Sequence, residues 1–148
     1  MTEVPAGLPK WIADHVELYL NDPEKAHMWD ASLGGGTGMI PTLLLIMTGR
    51  KSGEIKMLPL IYKKIDGNFV VIASKGGAPS HPAWYLNIMA NPDCEIRVGK
   101  DSYKVRAREA QGAERERLWN ELVEIYAPYT DYQTRTDRRI PVVVLEPK

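Results

Sequence analysis

The chain has one cysteine, Cys94, and three histidines. A lone thiol closes no disulfide within the chain, which fits a reducing compartment such as the cytosol. His15, His27 and His81 are scattered, with no HExxH run and no paired-cysteine spacing, so no metal site is expected. Surplus charge is absent too. Nineteen Lys and Arg balance nineteen Asp and Glu, and without a basic surplus the chain lacks the counterion-releasing face of a bulk nucleic-acid binder. The longest apolar run, at residues 43–47, falls far short of the roughly 20 residues that span a bilayer. Residues 1–9 show no basic region followed by an apolar one, so no secretory signal is expected. No Gly-x-Ser-x-Gly marks a nucleophile, and there is no internal repeat or low-complexity tail.

What is present suits one domain with a true core: 148 residues, 44% hydrophobic and 26% charged. The expected division is an N-terminal helix and Gly-rich connector at 1–38, followed by a barrel at 39–148. Trp11, Ile12, Val16, Tyr19 and Leu20 recur at helical spacing behind Pro9, and Asn21-Asp22-Pro23 ends the helix. That amphipathic helix packs on the core, caps a pocket or touches a membrane surface. The glycines at 34–38 precede a strand and lack a Gly-Lys-Ser/Thr ending, so they read as a mobile connector near a site rather than a nucleotide loop.

From residue 42 the pattern changes to strands. Residues 42–48 are nearly all apolar, as in a strand buried on both faces. Strands follow at 55–64, with Pro59 marking an edge or bulge, and at 69–74, after the hairpin signal Asp66-Gly67. A loop at 75–80 leads to a short helix at 82–90, then a hairpin of 95–98 and 102–108, a helix at 112–125, an irregular stretch at 126–139 and a last strand at 140–145. Six short strands, mostly joined by hairpins, with about three flanking helices, predict an α+β, mainly β chain folded as an antiparallel closed or half-closed barrel.

Three segments carry candidate chemistry. The turn Arg50-Lys51-Ser52, with Lys56 beyond it, and the loop Ser74-Lys75-Gly76-Gly77 each offer a cation, a hydroxyl and flexible backbone N–H groups. These are the means of holding an oxyanion such as a phosphate. Tyr126, Tyr129 and Tyr132 recur every three residues, beside a Pro128 that argues against a continuing helix. Tyrosine supplies flat apolar area and a hydroxyl able to donate a proton or hydrogen bond.

In this order the segments resemble the deazaflavin-dependent nitroreductase family, the flavin/deazaflavin oxidoreductases of type A. The resemblance runs over residues 43–147. It rests on Thr-Gly-Arg-Lys-Ser-Gly at 48–53, Pro59-Leu60, Ala-Ser-Lys-Gly-Gly at 73–77, Pro-Ala-Trp-Tyr-Leu-Asn at 82–87 and Asn91-Pro92. The tyrosine series, Thr136-Asp137-Arg138 and Ile-Pro-Val-Val-Val at 140–144 complete it. It implies a split β-barrel related to flavin-mononucleotide-binding barrels, with coenzyme F-420, a deazaflavin bearing a phosphate and an oligoglutamate tail, as cofactor.

By resemblance, Arg50, Lys51, Ser52 and Lys56 hold the phosphate and tail. Pro59, Ser74, Lys75, Gly76, Ala83 and Trp84 line the cofactor channel, and Tyr126, Tyr129 and Tyr132 border the substrate pocket as catalytic candidates. Nitroreductive members carry Tyr at Ile61, Arg at Lys56 and Asn at Leu58. The expected activity is hydride transfer to an electron-poor enone, quinone, unsaturated lactone or nitro compound. The competing readings are a flavin-mononucleotide or haem-linked barrel oxidase and a non-catalytic carrier of deazaflavin, lipid or quinone. A cytoplasmic protein, with peripheral membrane contact through its N-terminal helix, is the expected setting.

Overall fold

In the computed structural model, which describes residues 8–148, the apolar run lies within a ten-residue strand paired along both edges. Residues 1–7, most of the stretch read for a signal, lie outside the described residues. In chain order the elements are α1 (Lys10–Asn21), α2 (Pro23–Ala26), β1 (Met28–Asp30), β2 (Met39–Thr48), β3 (Ile55–Ile61), β4 (Lys63–Ile65) and β5 (Asn68–Ile72). They continue with α3 (Ala83–Ala90), β6 (Asp93–Val98), β7 (Asp101–Glu109), α4 (Gly112–Ile125), α5 (Pro128–Thr134) and β8 (Val142–Pro147). Single 3-10 turns occupy Ala31–Gly34 and Lys75–Gly77.

The sheet runs β1-β2-β6-β7-β8-β5-β4, with β3 paired to β2, and its strand pairs are antiparallel. The strand expected over 55–64 breaks at Tyr62. Its first part pairs with β2, from Thr48↔Ile55 to Thr42↔Ile61. Its second pairs with β5, from Lys63↔Val70 to Ile65↔Asn68. One run of chain therefore joins both ends of the sheet, which curls into a half-barrel. Pro59 sits opposite Leu44 in β3, a strand whose free edge asks for no N–H there.

Alternation assigns the residues of β2 to two cores. Leu43, Leu45 and Met47 point into the barrel with Phe69, Val71, Val143 and Leu145, where Trp84 and Ile88 of α3 plug one end. Leu44 faces outward and is covered by Val16 and Tyr19 of α1. Both faces are dry, as the unbroken apolar run predicts. Each fully buried leucine adds about 1.5–3 kcal/mol over an exposed one. The Tyr19 hydroxyl pins the helix, donating to the Thr42 carbonyl at 2.6 Å and accepting from the Gly99 N–H at 3.1 Å. On the outer face Val70, Ile72, Val142 and Val144 meet Leu118 and Leu122 of α4 and the tyrosines of α5.

Three expectations are corrected. There are eight strands among the described residues, because β1 forms and the 55–64 run divides in two. Among the described residues there are five α-helices rather than about three. The stretch after Tyr126 is a helix, α5, with Pro128 in its first turn. A proline there forfeits no intrahelical bond, because that N–H has no acceptor in any helix.

Candidate active site

The cleft opens between α1 and the curled sheet. Its volume is about 370 Å³, within the range of small-ligand sites. α1 contributes Trp11, Ile12 and His15, β1 contributes Trp29, and β3 contributes Leu58, Pro59, Leu60 and Ile61. Ile72 comes from the end of β5, Ser74 and Lys75 from the loop after it, Pro82 and Trp84 from the start of α3, and Tyr126 and Tyr129 from the far wall. The walls are mostly apolar and aromatic, suited to a flat ring, with polar side chains at Ser74 and Lys75 and also at His15 and Thr42.

The structure thus brings together Pro59, Ser74, Lys75, Trp84, Tyr126 and Tyr129 of the residues singled out from sequence. Ala83 starts α3 beside Trp84 but is exposed, and Gly76 sits in the 3-10 turn after Lys75. Tyr132 joins through its hydroxyl, 3.0 Å from that of Tyr126. Arg50, Lys51, Ser52 and Lys56 do not line the cleft. Arg50, Lys51 and Ser52 stand on the β2–β3 turn, where Gly53 takes a left-handed φ of 74°, and Lys56 follows as the second residue of β3. The Ser52 hydroxyl accepts from the Glu54 N–H at 3.1 Å, and Lys56 lies 3.8 Å from the Glu54 carboxylate.

Tyr129 is the most enclosed of the three tyrosines. It is 3% exposed and packs edge-on to Tyr126 and Tyr132 and tilted to Trp119. Among the described residues its hydroxyl has no hydrogen-bond partner, and it is not sealed from solvent. Burial, reinforced by its two tyrosine neighbours, pushes its ionisation far above the ordinary phenol range, so at neutral pH it can only be a proton-bearing donor or acceptor. Burial raises Tyr126 as well, as does its hydrogen bond to Tyr132. The glycine connector touches this wall: a side chain on Gly36 would begin 3.0 Å from the Tyr126 ring.

The Ser74–Ser80 loop is held from behind. The Arg138 guanidinium donates to the carbonyls of Ser74 at 2.7 Å, Ala78 at 2.8 Å and Ala73 at 3.3 Å, and to His81 Nδ1 at 3.1 Å. Lys75 adopts φ 47° and its ammonium donates to the Ser80 hydroxyl at 3.3 Å. Gly77, with φ 81°, lies so close to α5 that a Cβ would meet the Tyr132 carbonyl at 2.5 Å, which ties the cationic loop to the tyrosine helix. His15 Nε2 is 2.9 Å from the Ala26 carbonyl, so the ring is anchored where it borders the cleft.

Sequence reasoning missed Trp29, Asn87 and the part played by Arg138. Asn87 and Arg138 both fall inside the quoted motifs, yet nothing local assigns them a partner. Two of the alternatives for the N-terminal helix are realised together: Val16 and Tyr19 pack on the core, while Trp11, Ile12 and His15 form one side of the cleft. Among the described residues no helix is long and apolar enough to cross a membrane, and no cluster of His, Cys, Asp and Glu forms a metal site.

A family model described as F420H(2)-dependent quinone reductase matches residues 21–147. An F420H(2)-dependent quinone reductase of Mycobacterium tuberculosis is 38% identical over 149 residues, covering 93% of this chain and 97% of that protein. The solved structure of an F420-H2 dependent reductase, FDR-A, superposes with a TM-score of 0.67 at 45% identity, covering 72% of this chain and 94% of its own. A second solved structure, a domain-swapped dimer, gives a TM-score of 0.70 at 38% identity, covering 93% of this chain and 98% of that one.

Proposed function

This chain belongs to the F420H(2)-dependent quinone reductase family, and on that premise we propose that it reduces a quinone in the cleft under α1, with Tyr129 meeting the quinone oxygen. It is an oxidoreductase whose cofactor is coenzyme F-420. The residues present suit that group. A mostly apolar, aromatic cleft accepts a flat ring, and Ser74 and Lys75 give it a polar, cationic end. Arg50 and Lys51 lie outside the lining, where an anionic tail would emerge. Flavin mononucleotide has no glutamate tail to use that second turn.

When bound and reduced, the deazaflavin supplies a hydride from carbon five. The chain's own residues do the rest. Pro59, Leu60 and Trp84 fix ring and substrate between apolar surfaces and exclude water. The Tyr129 hydroxyl, kept protonated by burial, donates to the oxygen on which negative charge builds. The single observation that carries the reading is the place of this hydroxyl: on a ring only 3% exposed, bordering the cleft, and without a partner among the described residues. Ile61 lines the same cleft, and its aliphatic side chain favours an apolar quinone over the nitro compounds of family members with tyrosine there.

The described residues, 8–148, form one unit in this reading, since α1 walls the cleft and β1 extends the sheet. Trp11, 64% exposed on α1 at the cleft, is where the N-terminal helix would meet a lipid surface. Vesicle co-sedimentation of wild type against Trp11→Ser measures that contact.

The deciding experiment mixes the protein with reduced F-420 and a quinone. Return of the oxidised deazaflavin absorbance at a protein-dependent rate is the expected result. Tight binding with no return would make the protein a carrier. Fluorescence titration is expected to give micromolar or tighter affinity, on the order of −8 kcal/mol, and weaker binding of flavin mononucleotide. Equal binding of the two would favour the flavin-dependent alternative.

A further inference from the structure

Asn87 is 7% exposed, on the same buried side of α3 as Trp84 and Ile88. A primary amide taken out of water must find partners, and those of Asn87 are specific. Its Oδ1 accepts two hydrogen bonds from one residue: the Arg50 backbone N–H at 3.1 Å and the Arg50 Nη1–H at 3.0 Å. Its Nδ2 donates toward the Met47 sulfur at 3.9 Å. One buried oxygen therefore sets both where the 49–53 turn leaves the sheet and which way its guanidinium points. Among the described residues Arg50 has no acidic partner, so its remaining N–H donors stay available and its charge is uncancelled.

The residue type matters. A carboxylate at this position would hold the arginine as firmly, but it would also neutralise the charge on offer. An alanine would leave the charge and lose the aim. A neutral acceptor alone does both jobs, and an arginine already held gives up less freedom when it meets an anion.

We infer that Asn87 is a positioning residue for the cofactor: by holding Arg50 through a neutral oxygen, it presents a fully charged guanidinium to the phosphate and carboxylates at the cofactor's anionic end. The inference rests on reading the 49–53 turn as part of the cofactor site. It places no substrate contact on Asn87 and leaves the ring-binding end of the cleft unaffected.

The test is equilibrium binding to the whole protein, read by cofactor fluorescence, with thermal melting of each variant recorded alongside. The probes are oxidised F-420 and the deazaflavin nucleoside that lacks phosphate and glutamates. Asn87→Ala is expected to lose about tenfold in affinity for F-420 and less than twofold for the nucleoside. Arg50→Ala is expected to lose at least as much for F-420, and adding Asn87→Ala to it should cost under threefold more. Asn87→Asp keeps the accepting oxygen, so it should melt near wild type yet bind F-420 more weakly, with the deficit shrinking as salt rises. That variant reads the proposal should Asn87→Ala not fold. If Arg50→Ala binds F-420 normally, the turn is not part of the site, and the reading beneath the inference fails. If Arg50→Ala binds weakly while folded Asn87→Ala and Asn87→Asp bind normally, the inference alone is overturned. Equal losses for both probes in Asn87→Ala would mean a general packing role and would overturn it too.

Discussion

Tyr129 on α5 is 3% exposed and fixed by rings packed around it, whereas Lys51 and Lys75 project from turns and are exposed. The tyrosine wall is held by burial, and burial sets its chemistry: the same desolvation that orders the ring keeps its proton on. The cationic turns are held by hydrogen bonds to side chains behind them, Asn87 for one and Arg138 for the other. Anchoring from behind leaves charge in water, where an anionic ligand can exchange. The first region should answer to changes of shape and of single hydroxyls. The second should answer to salt and to loss of its anchors.

The largest effect is expected at Arg138, which serves the second region from the protein side. Arg138→Met strands three carbonyls and the His81 nitrogen. It should cost about 2–4 kcal/mol of stability and weaken F-420 binding more than tenfold, measured by denaturant unfolding and fluorescence titration. Unchanged binding in the folded variant would mean that the loop keeps its form without the clamp, and the contrast between the regions would collapse.

Next is Tyr129→Phe, which removes one oxygen and keeps the packing. Turnover should fall ~10²-fold, the usual range for a lost oxyanion contact, with cofactor affinity and melting temperature near wild type. Tyr126→Phe and Tyr132→Phe serve as controls, since their hydroxyls already share a contact. A full-speed Tyr129→Phe enzyme on both a quinone and an enone would reduce this wall to packing.

Lys51→Ala and Lys75→Ala come third. Their exposure brings each down to about a three- to tenfold loss of affinity at low salt, fading as ionic strength rises. Turnover at saturating cofactor should hold. A loss of turnover with normal binding would assign these lysines to the wrong step.

The smallest effect is a pH dependence away from both regions. His27 Nε2 lies 2.7 Å from the Tyr62 hydroxyl, and burial lowers its protonation below the ordinary range near about 6.5. On acidification the unfolded chain therefore takes this proton first. The contribution to stability is whole above about pH 6.5 and is lost as pH falls through the lower folded value. Melting curves from pH 7.5 to 5 should show a small decline that His27→Gln removes. A decline of equal size in that variant would place the proton elsewhere.

Much of the scaffold is written in near-neighbour patterns. The apolar run at 42–48 is a strand dry on both faces, the helix at 112–125 has the bounds its spacing predicts, and Asp66-Gly67 turns with both φ angles positive, 54° and 81°. Each is a matter of residues within a few positions of one another. Where the local signal is short or two-sided, it misleads. Met28-Trp29-Asp30 is too brief to show alternation, although β1 carries Trp29 to the cleft. Pro128 reads as a stop, and α4 does end at Ile125, but the same proline opens α5. The 55–64 run carries no sign that it will be shared between two ends of a sheet.

By itself, then, the sequence determined a mainly antiparallel, barrel-like sheet, the cationic turns and the tyrosines, because hydrophobic period and turn chemistry act locally, whereas the order of the strands in the sheet was settled only by the fold. Tertiary structure alone decided what holds those groups. Asn87 reaches Arg50 across 37 positions, and Arg138 reaches Ser74 across 64. A side-chain donor is satisfied by whichever acceptor the curled sheet brings to it, and no spacing along the chain records that meeting. The same holds for the Tyr129 hydroxyl: its residue type was legible, but its burial, its protonation and its place at the cleft arose only when α5 closed over the outer face of the sheet.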